Sequence, residues 1–336
     1  MGADLFTMIW FFLSLIVIIL AVLLIAFFTY RICFYSPEDR REDPYSVMDG
    51  EQYEAVCDSI TACTRLMDKA PCQWVTTRSF DGLTLSARYY HTADGAPLQI
   101  LFHGYRSMAL RDCAGGFYLA KKLGCNILAV DQRAHARSSG HVITFGIKER
   151  MDCLSWVQYA NERFSSDTPI ILSGLSMGAS TVLMASALPL PENVVAIMAD
   201  CPYSSPADII RKVSRDRHMP DTLAYPFIWL GAKLFGKFSL NETTSVESVR
   251  QAKIPILLLH GEDDRFVPCR MSREIYAACA SRAELHTFPY AGHGLCYIMD
   301  PVRYERISTN FLWSIPALKP FLKDNPFVQK ELEIHD

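Results

Sequence analysis

"IILSGLSMGAS", residues 170–180, is the stretch on which the reading of this chain turns. An apolar run enters a Gly-x-Ser-x-Gly turn bounded by Gly174 and Gly178. A helix-forming run (Thr181, Val182, Leu183, Met184, Ala185) leaves it. Strand, sharp turn and helix are the context that a nucleophile elbow requires. Flanking glycines let the backbone bend tightly and lift the serine hydroxyl, here Ser176, to the top of a sheet. The helix that starts there offers unpaired N–H groups and a positive dipole end, both favourable to developing negative charge. The pentapeptide alone decides nothing, because glycine and serine gather in turns for backbone reasons.

Working outward, short apolar runs recur at residues 98–104, 126–133, 169–174, 194–201, 254–261 and 285–294, separated by helical patterns. Runs of this kind, apolar on both faces, are what parallel strands look like. One intervening helix is expected within residues 146–164, with Ile147, Met151, Leu154 and Val157 on a single face. Ahead of these runs, "WVTTRSF" (74–80) and "LTLSARYYH" (83–91) flank Asp81-Gly82, the signature of a β-hairpin. The expectation is an α/β fold, a mostly parallel doubly wound sheet led by an antiparallel hairpin. Between residues 51 and 69, Tyr53, Val56, Ile60, Cys63 and Met67 recur at helical spacing, and Pro71 follows. Between Tyr203 and Ile254 no convincing core strand occurs, yet Tyr225, Pro226, Phe227, Ile228, Trp229, Leu230, Leu234 and Phe235 make an apolar patch. Helices are expected there. They either pack with the core or form a small cap at about 204–250 whose apolar groups contact an acyl chain.

The N-terminus has a different character. No charged residue occurs over residues 5–30, and residues 9–28 are almost wholly Ile, Leu, Val, Phe and Ala. A helix crosses a bilayer core with about 20 apolar residues. A secretory signal would be shorter, would begin with a base and would end in a small-x-small cleavage site. This run begins after Asp4 and ends in Phe27, Phe28, Thr29 and Tyr30. A single uncleaved membrane helix is therefore expected. Arg31, Arg40 and Arg41 follow it and no base precedes it, so the positive-inside rule puts the large C-terminal part in the cytoplasm. The acidic neighbours Glu38, Asp39, Glu42 and Asp43 count for little. Eleven scattered cysteines without a Cys-x-x-Cys pair suggest neither a disulfide framework nor a zinc site. The formal net charge of −3 gives no reason to expect nucleic acid as a partner.

A serine hydroxyl needs a base to take its proton, and that base needs an orienting carboxylate. In a sheet of this type they are due on later strand ends in the order Ser, acid, His. "LLLHGEDDRFVP" (257–268) puts Asp264 just past a strand, and "FPYAGHG" (288–294) puts His293 after the last one. An oxyanion also needs donors. The backbone N–H of Met177 is one candidate. The other is the N–H of Tyr105, in the loop after "ILFHG" (100–104).

With His103-Gly104 after a strand, "DQRAHARSSG" (131–140), Gly-Leu-Ser-Met-Gly, "HGEDDRFVP" (260–268) and "AGHG" (291–294), residues 74–315 resemble the α/β-hydrolase superfamily. Within it the chain looks most like the membrane-anchored branch similar to serine aminopeptidases and acylglycerol lipases. The resemblance implies Ser176 as nucleophile, Asp264 as orienting acid and His293 as general base. Asp263 and Asp200 are alternative acids; the spacing of Asp264 to Val267-Pro268 matches the family pattern. Where relatives read Asp-x-Arg-Gly-x-Gly, this chain has Ala134 and Ala136, which predicts a different loop shape.

The organisation expected is a transmembrane anchor over residues 5–30, a linker and amphipathic helix over 31–73, a hydrolase domain over 74–320 with the cap insertion at about 204–250, and a tail over 321–336. The activity expected is that of a membrane-anchored serine hydrolase acting on an ester, thioester or amide through an acyl-enzyme. A small-molecule or lipid-like acyl ester is favoured. A serine-aminopeptidase-like peptidase and a catalytically silent binding module are the alternatives. No metal or organic cofactor is called for, and the sequence carries no sign of oligomeric state.

Overall fold

Alternating Val, Thr, Leu and Tyr build the leading hairpin. In the computed structural model, which describes residues 2–37 and 43–333, β1 (Gln73–Arg78) pairs antiparallel with β2 (Thr84–Tyr90), Arg78 opposite Thr84. The connection is a five-residue loop closed by the Ser79 N–H donating to the Leu83 carbonyl, with Gly82 at φ +87°. Every apolar run expected as a strand is one: β3 (Leu98–Phe102), β4 (Asn126–Asp131), β5 (Ile170–Leu175), β6 (Val194–Asp200), β7 (Ile256–Gly261) and β8 (Ala283–Phe288). The eight strands lie in the order β1-β2-β4-β3-β5-β6-β7-β8. All pairs from β4 onward are parallel, and β2 joins β4 antiparallel.

Helices cover both faces of the sheet. Before the hairpin come α1 (Gly2–Cys33), α2 (Glu51–Glu54) and α3 (Cys57–Lys69). Between strands lie α4 (Ala109–Asp112), α5 (Ala114–Lys122), α6 (Glu149–Arg163) and α7 (Met177–Ala185). The excursion after β6 holds α8 (Pro206–Asp216), α9 (Asp221–Gly231), a π-helical turn (Ala232–Gly236) and α10 (Ser245–Val249). The last helices are α11 (Arg270–Ala278), α12 (Cys296–Met299), α13 (Pro301–Trp313), α14 (Lys319–Leu322) and α15 (Pro326–Glu333). One core packs α5 and α13 on the sheet through Leu101, Phe117, Ile171, Leu259 and Phe311. The opposite core packs α6, α7 and α11 through Ile100, Trp156, Leu172, Leu183 and Ile275.

One expectation about helices needs correction. The buried stripe of α6 is Cys153, Trp156, Val157 and Ala160, while Met151 and Leu154 are half-buried. The helical excursion packs against Phe145, Met177 and Met184 through Ile209, Ile210 and Ile228, and it clasps the end of α1. A Cβ at Gly231 would lie 2.4 Å from the Ala26 carbonyl oxygen, so the two helices touch backbone to backbone. Thr29 donates to the Phe227 carbonyl at 3.1 Å, and Phe27 and Tyr30 pack their rings on Phe235. Tyr30 and Phe34 are buried with Phe145, Ile228 and Phe238. Further back, α1 is long and apolar enough to cross a membrane, with Phe11, Val17 and Leu20 among its exposed residues. Glu38, Asp39, Arg40, Arg41 and Glu42, on which the expected orientation partly rests, lie outside the described residues, as do residues 334–336.

Candidate active site

Ser176 joins β5 to α7 at φ 55°, a backbone conformation uncommon for any residue with a Cβ. The neighbouring glycines are needed for space. A Cβ at Gly174 would lie 2.2 Å from the Gly178 carbonyl carbon, and one at Gly178 would lie 2.1 Å from the Phe102 carbonyl oxygen. The turn is therefore pressed against the end of β3 and pinned by the Ser176 N–H donating to the Asp200 carbonyl at 2.8 Å.

The structure brings Ser176, His293 and Asp264 together although 117 residues separate the first two. Ser176 Oγ stands 2.9 Å from His293 Nε2, and His293 Nδ1 stands 2.7 Å from Asp264 Oδ2. A carboxylate only accepts, so Nδ1 carries the proton and Nε2 presents its lone pair to the serine hydroxyl. Asp264 is held by its own loop: Oδ1 accepts from the N–H groups of Phe266 and Val267 at 2.9 and 2.7 Å. Buried His260 lies 3.4 Å from the other carboxylate oxygen. Its Nε2–H points to the Val267 carbonyl, which fixes the tautomer, and Nδ1 accepts from Ser272.

Electrostatics follow from this packing. Burial opposes ionisation of Asp264, but His293, together with hydrogen bonds from His260 and His293, holds its carboxyl well below the usual carboxylate range. Burial likewise disfavours the charged form of His293. The facing Asp264 outweighs it, with Asp200 and Asp112 adding to the effect, and the net shift is upward. The alternative acids stand elsewhere. The Asp263 side chain is exposed, and its carbonyl accepts from Gln52. Asp200 is buried at the end of β6, and burial pushes its carboxyl up to about 6. Cys201 lies with Asp264 and His293 in a buried group whose potential ligand atoms fall within 4.8 Å of one another. Both nitrogens of His293 are already engaged there by Asp264 and Ser176.

On the oxyanion side, Met177 is the first residue of α7. The loop after β3 passes so close that a Cβ at Gly104 would be 3.4 Å from the Ser176 Cβ, and Tyr105 comes next. The Tyr105 hydroxyl donates to the Cys33 carbonyl at 2.7 Å, and Arg106 donates to the Ile32 carbonyl at 2.5 Å. The loop at Ser176 is thereby tied to the C-terminal end of α1.

A cavity of about 330 Å³ opens beside Ser176 and His293. Its walls come from β3, β5, α5 and α12, from Ser46, Val47 and Met48 of the segment read as linker, and from Tyr53 of α2. No residue of the excursion after β6 lines it. Tyr53 also donates to the His293 carbonyl at 2.9 Å, bracing the histidine loop. The helical spacing marks Tyr53 as a packing residue but not as part of the site, because that role depends on a contact 240 positions away.

The "DQRAHARSSG" loop keeps the glycine conformation without the glycines: Ala134 and Ala136 sit at φ 61° and 42°. Arg133, buried in this loop, meets Asp152 through two bonds of 2.6 Å and Asp81 at 2.9 Å. It ties the loop to α6 and to the hairpin turn.

The sequence profile of the alpha/beta hydrolase family matches residues 99–307. The chain is 24% identical over 226 residues to the uncharacterized protein YqkD of Bacillus subtilis (strain 168), covering 66% of this chain and 74% of that one. It is 25% identical over 199 residues to protein bem46 of Schizosaccharomyces pombe, covering 58% of this chain and 60% of that one. Among solved structures it is similar to the Pyrococcus furiosus esterase Pf2001, with a TM-score of 0.62 and 21% identity, over 84% of this chain and 98% of that one.

Proposed function

From its membership of the alpha/beta hydrolase family, we propose that this chain is a membrane-anchored serine hydrolase that cleaves carboxylic esters through an acyl-enzyme on Ser176. The observation that carries the reading is the unbroken relay from Ser176 Oγ through His293 to Asp264. In the first half-reaction Ser176 Oγ bonds to the ester carbonyl carbon while its proton passes to His293 Nε2. The N–H groups of Met177 and Tyr105 face the developing oxyanion. Collapse of the tetrahedral intermediate breaks the ester C–O bond, and the leaving alcohol takes the proton from His293. In the second half water attacks the acyl carbon, gives its proton to the same nitrogen, and Ser176 is regenerated. Asp264 stays ionised throughout, fixing the imidazole and stabilising the imidazolium.

An ester is favoured over a peptide by the predominantly apolar lining beside the serine, which suits an acyl chain. The anchor is α1, and Arg31, Arg40 and Arg41 after it favour a cytoplasmic hydrolase domain. Hydrolysis of p-nitrophenyl esters of graded acyl length, measured beside aminoacyl arylamides, tests the substrate class. Turnover of medium-chain esters is expected to exceed that of every arylamide. The reverse ranking would sink the ester assignment in favour of an aminopeptidase-like one.

A further inference from the structure

The floor of the cavity carries polar groups that hydrolysis itself does not use. The strands β3, β5 and β6 contribute Gln99 and Leu101, then Ser173, then Met198 and Asp200 to it. Leu101 is paired with Ser173 and Ser173 with Met198, so Gln99 lies diagonally below Ser173 across neighbouring strands. Gln99, 1% exposed, donates from Nε2 to Ser173 Oγ at 2.7 Å. Among the described residues its Oε1 has no partner, and neither has Oδ1 of Asp200, which is 5% exposed. Leaving a buried acceptor unpaired is costly, and an apolar side chain would serve a plain alkyl chain better. The floor is kept open from the other side by small residues of α5. A Cβ at Gly115 would meet the Tyr297 ring at 2.9 Å, and one at Gly116 would meet Leu101 at 3.2 Å.

Both unpaired atoms are oxygens that accept, so the missing ligand groups are donors. Ser173 narrows the choice. Its oxygen accepts from Gln99 and keeps its own O–H to give, which only a group with a lone pair can take. A hydroxyl does both, donating to Gln99 Oε1 and accepting from Ser173. An ammonium has no lone pair and would leave the Ser173 O–H without an acceptor. Ser173 lies three residues before Ser176 on an extended strand, about 10 Å away, which an acyl chain on the order of eight carbons covers.

We propose that the site is built for hydroxylated acyl groups, with Gln99 and Ser173 reading a hydroxyl near the far end of a medium-length chain. The inference rests on the ester-hydrolase reading of Ser176 and adds the substrate class and two specificity residues to it. The test is kcat/KM for p-nitrophenyl octanoate and its 8-hydroxy counterpart, with the hexanoate and decanoate pairs alongside. Wild type is expected to favour the hydroxylated ester by about tenfold or more at its best chain length. Gln99→Met and Ser173→Ala are each expected to lose or invert that preference, a ratio that a general loss of folded enzyme would not move. Equal or lower rates on the hydroxylated esters in wild type overturn the proposal while leaving the hydrolase reading intact. A wild-type preference unchanged in both variants overturns the assignment to Gln99 and Ser173. If no ester of either series is hydrolysed, the proposal falls together with the reading beneath it.

Discussion

At the scale of the residue, backbone strain sits at two kinds of position. Ser176 at φ 55° is held by the Ser176–Asp200 hydrogen bond and by the tight approach of Gly174 and Gly178. Ala134 and Ala136 adopt the same left-handed region with no part in the relay. Restoring glycine there, as Ala134→Gly or Ala136→Gly, is expected to raise stability by about 0.5–1 kcal/mol each and Tm by roughly 1–3 °C. A fall in Tm in thermal melts would contradict that account. The pH profile is also set at this scale. His293 acts as a base only when neutral, and Asp264 raises its pKa against the effect of burial. The rising limb of kcat/KM therefore lies above the ordinary histidine value of about 6.5. Asp264→Asn removes the facing anion, so the limb moves to lower pH and kcat falls on the order of 10⁴-fold. An unmoved limb would show that Asp264 does not set the titration of the base.

At the scale of the element, what can be read in the sequence follows from what kind of pattern burial leaves. The parallel strands were legible because they are buried on both faces and need unbroken apolar runs, as in Ile256–Gly261. The meeting of Ser176, Asp264 and His293 was legible because they follow β5, β7 and β8, whose ends a parallel sheet brings to one edge. The buried face of α6 was not. Glu149 and Asp152 are buried on it, satisfied by Thr144, Gly146 and Arg133, and hydropathy cannot register a buried charge that has its partners. The same pairing gives a sharp expectation. Arg133→Met leaves Asp152 buried without its partner and is expected to cost about 3–5 kcal/mol in denaturant unfolding. The elbow is equally exposed to change: Gly178→Ala places a Cβ 2.1 Å from the Phe102 carbonyl oxygen. Displacing β3 to relieve that contact should lower Tm and impair presentation of Ser176 together.

At the scale of the whole molecule, α1, the candidate membrane span, is also a structural part of the hydrolase domain. Its apolar run was legible from composition. Its docking was not, because the clasp joins Ala26 to Gly231 and Cys33 to Tyr105, pairs with no mark in either local sequence. Removing residues 1–25 leaves Tyr30 and Phe34 in their core, so that protein is expected to dissolve without detergent and to keep its activity on soluble esters. Removing residues 1–36 strips the buried Tyr30 and Phe34 and should cost several kcal/mol of stability. Equal melting temperatures for the two truncations would show that the clasp contributes nothing. The central claim, that Ser176 is the nucleophile of a working relay, is tested most directly by covalent labelling with a fluorophosphonate, the adduct located by peptide mass spectrometry. The account predicts one adduct, on Ser176, absent in Ser176→Ala and strongly slowed in His293→Ala. Labelling of Ser176→Ala at the wild-type rate, or an adduct on another residue, would contradict it.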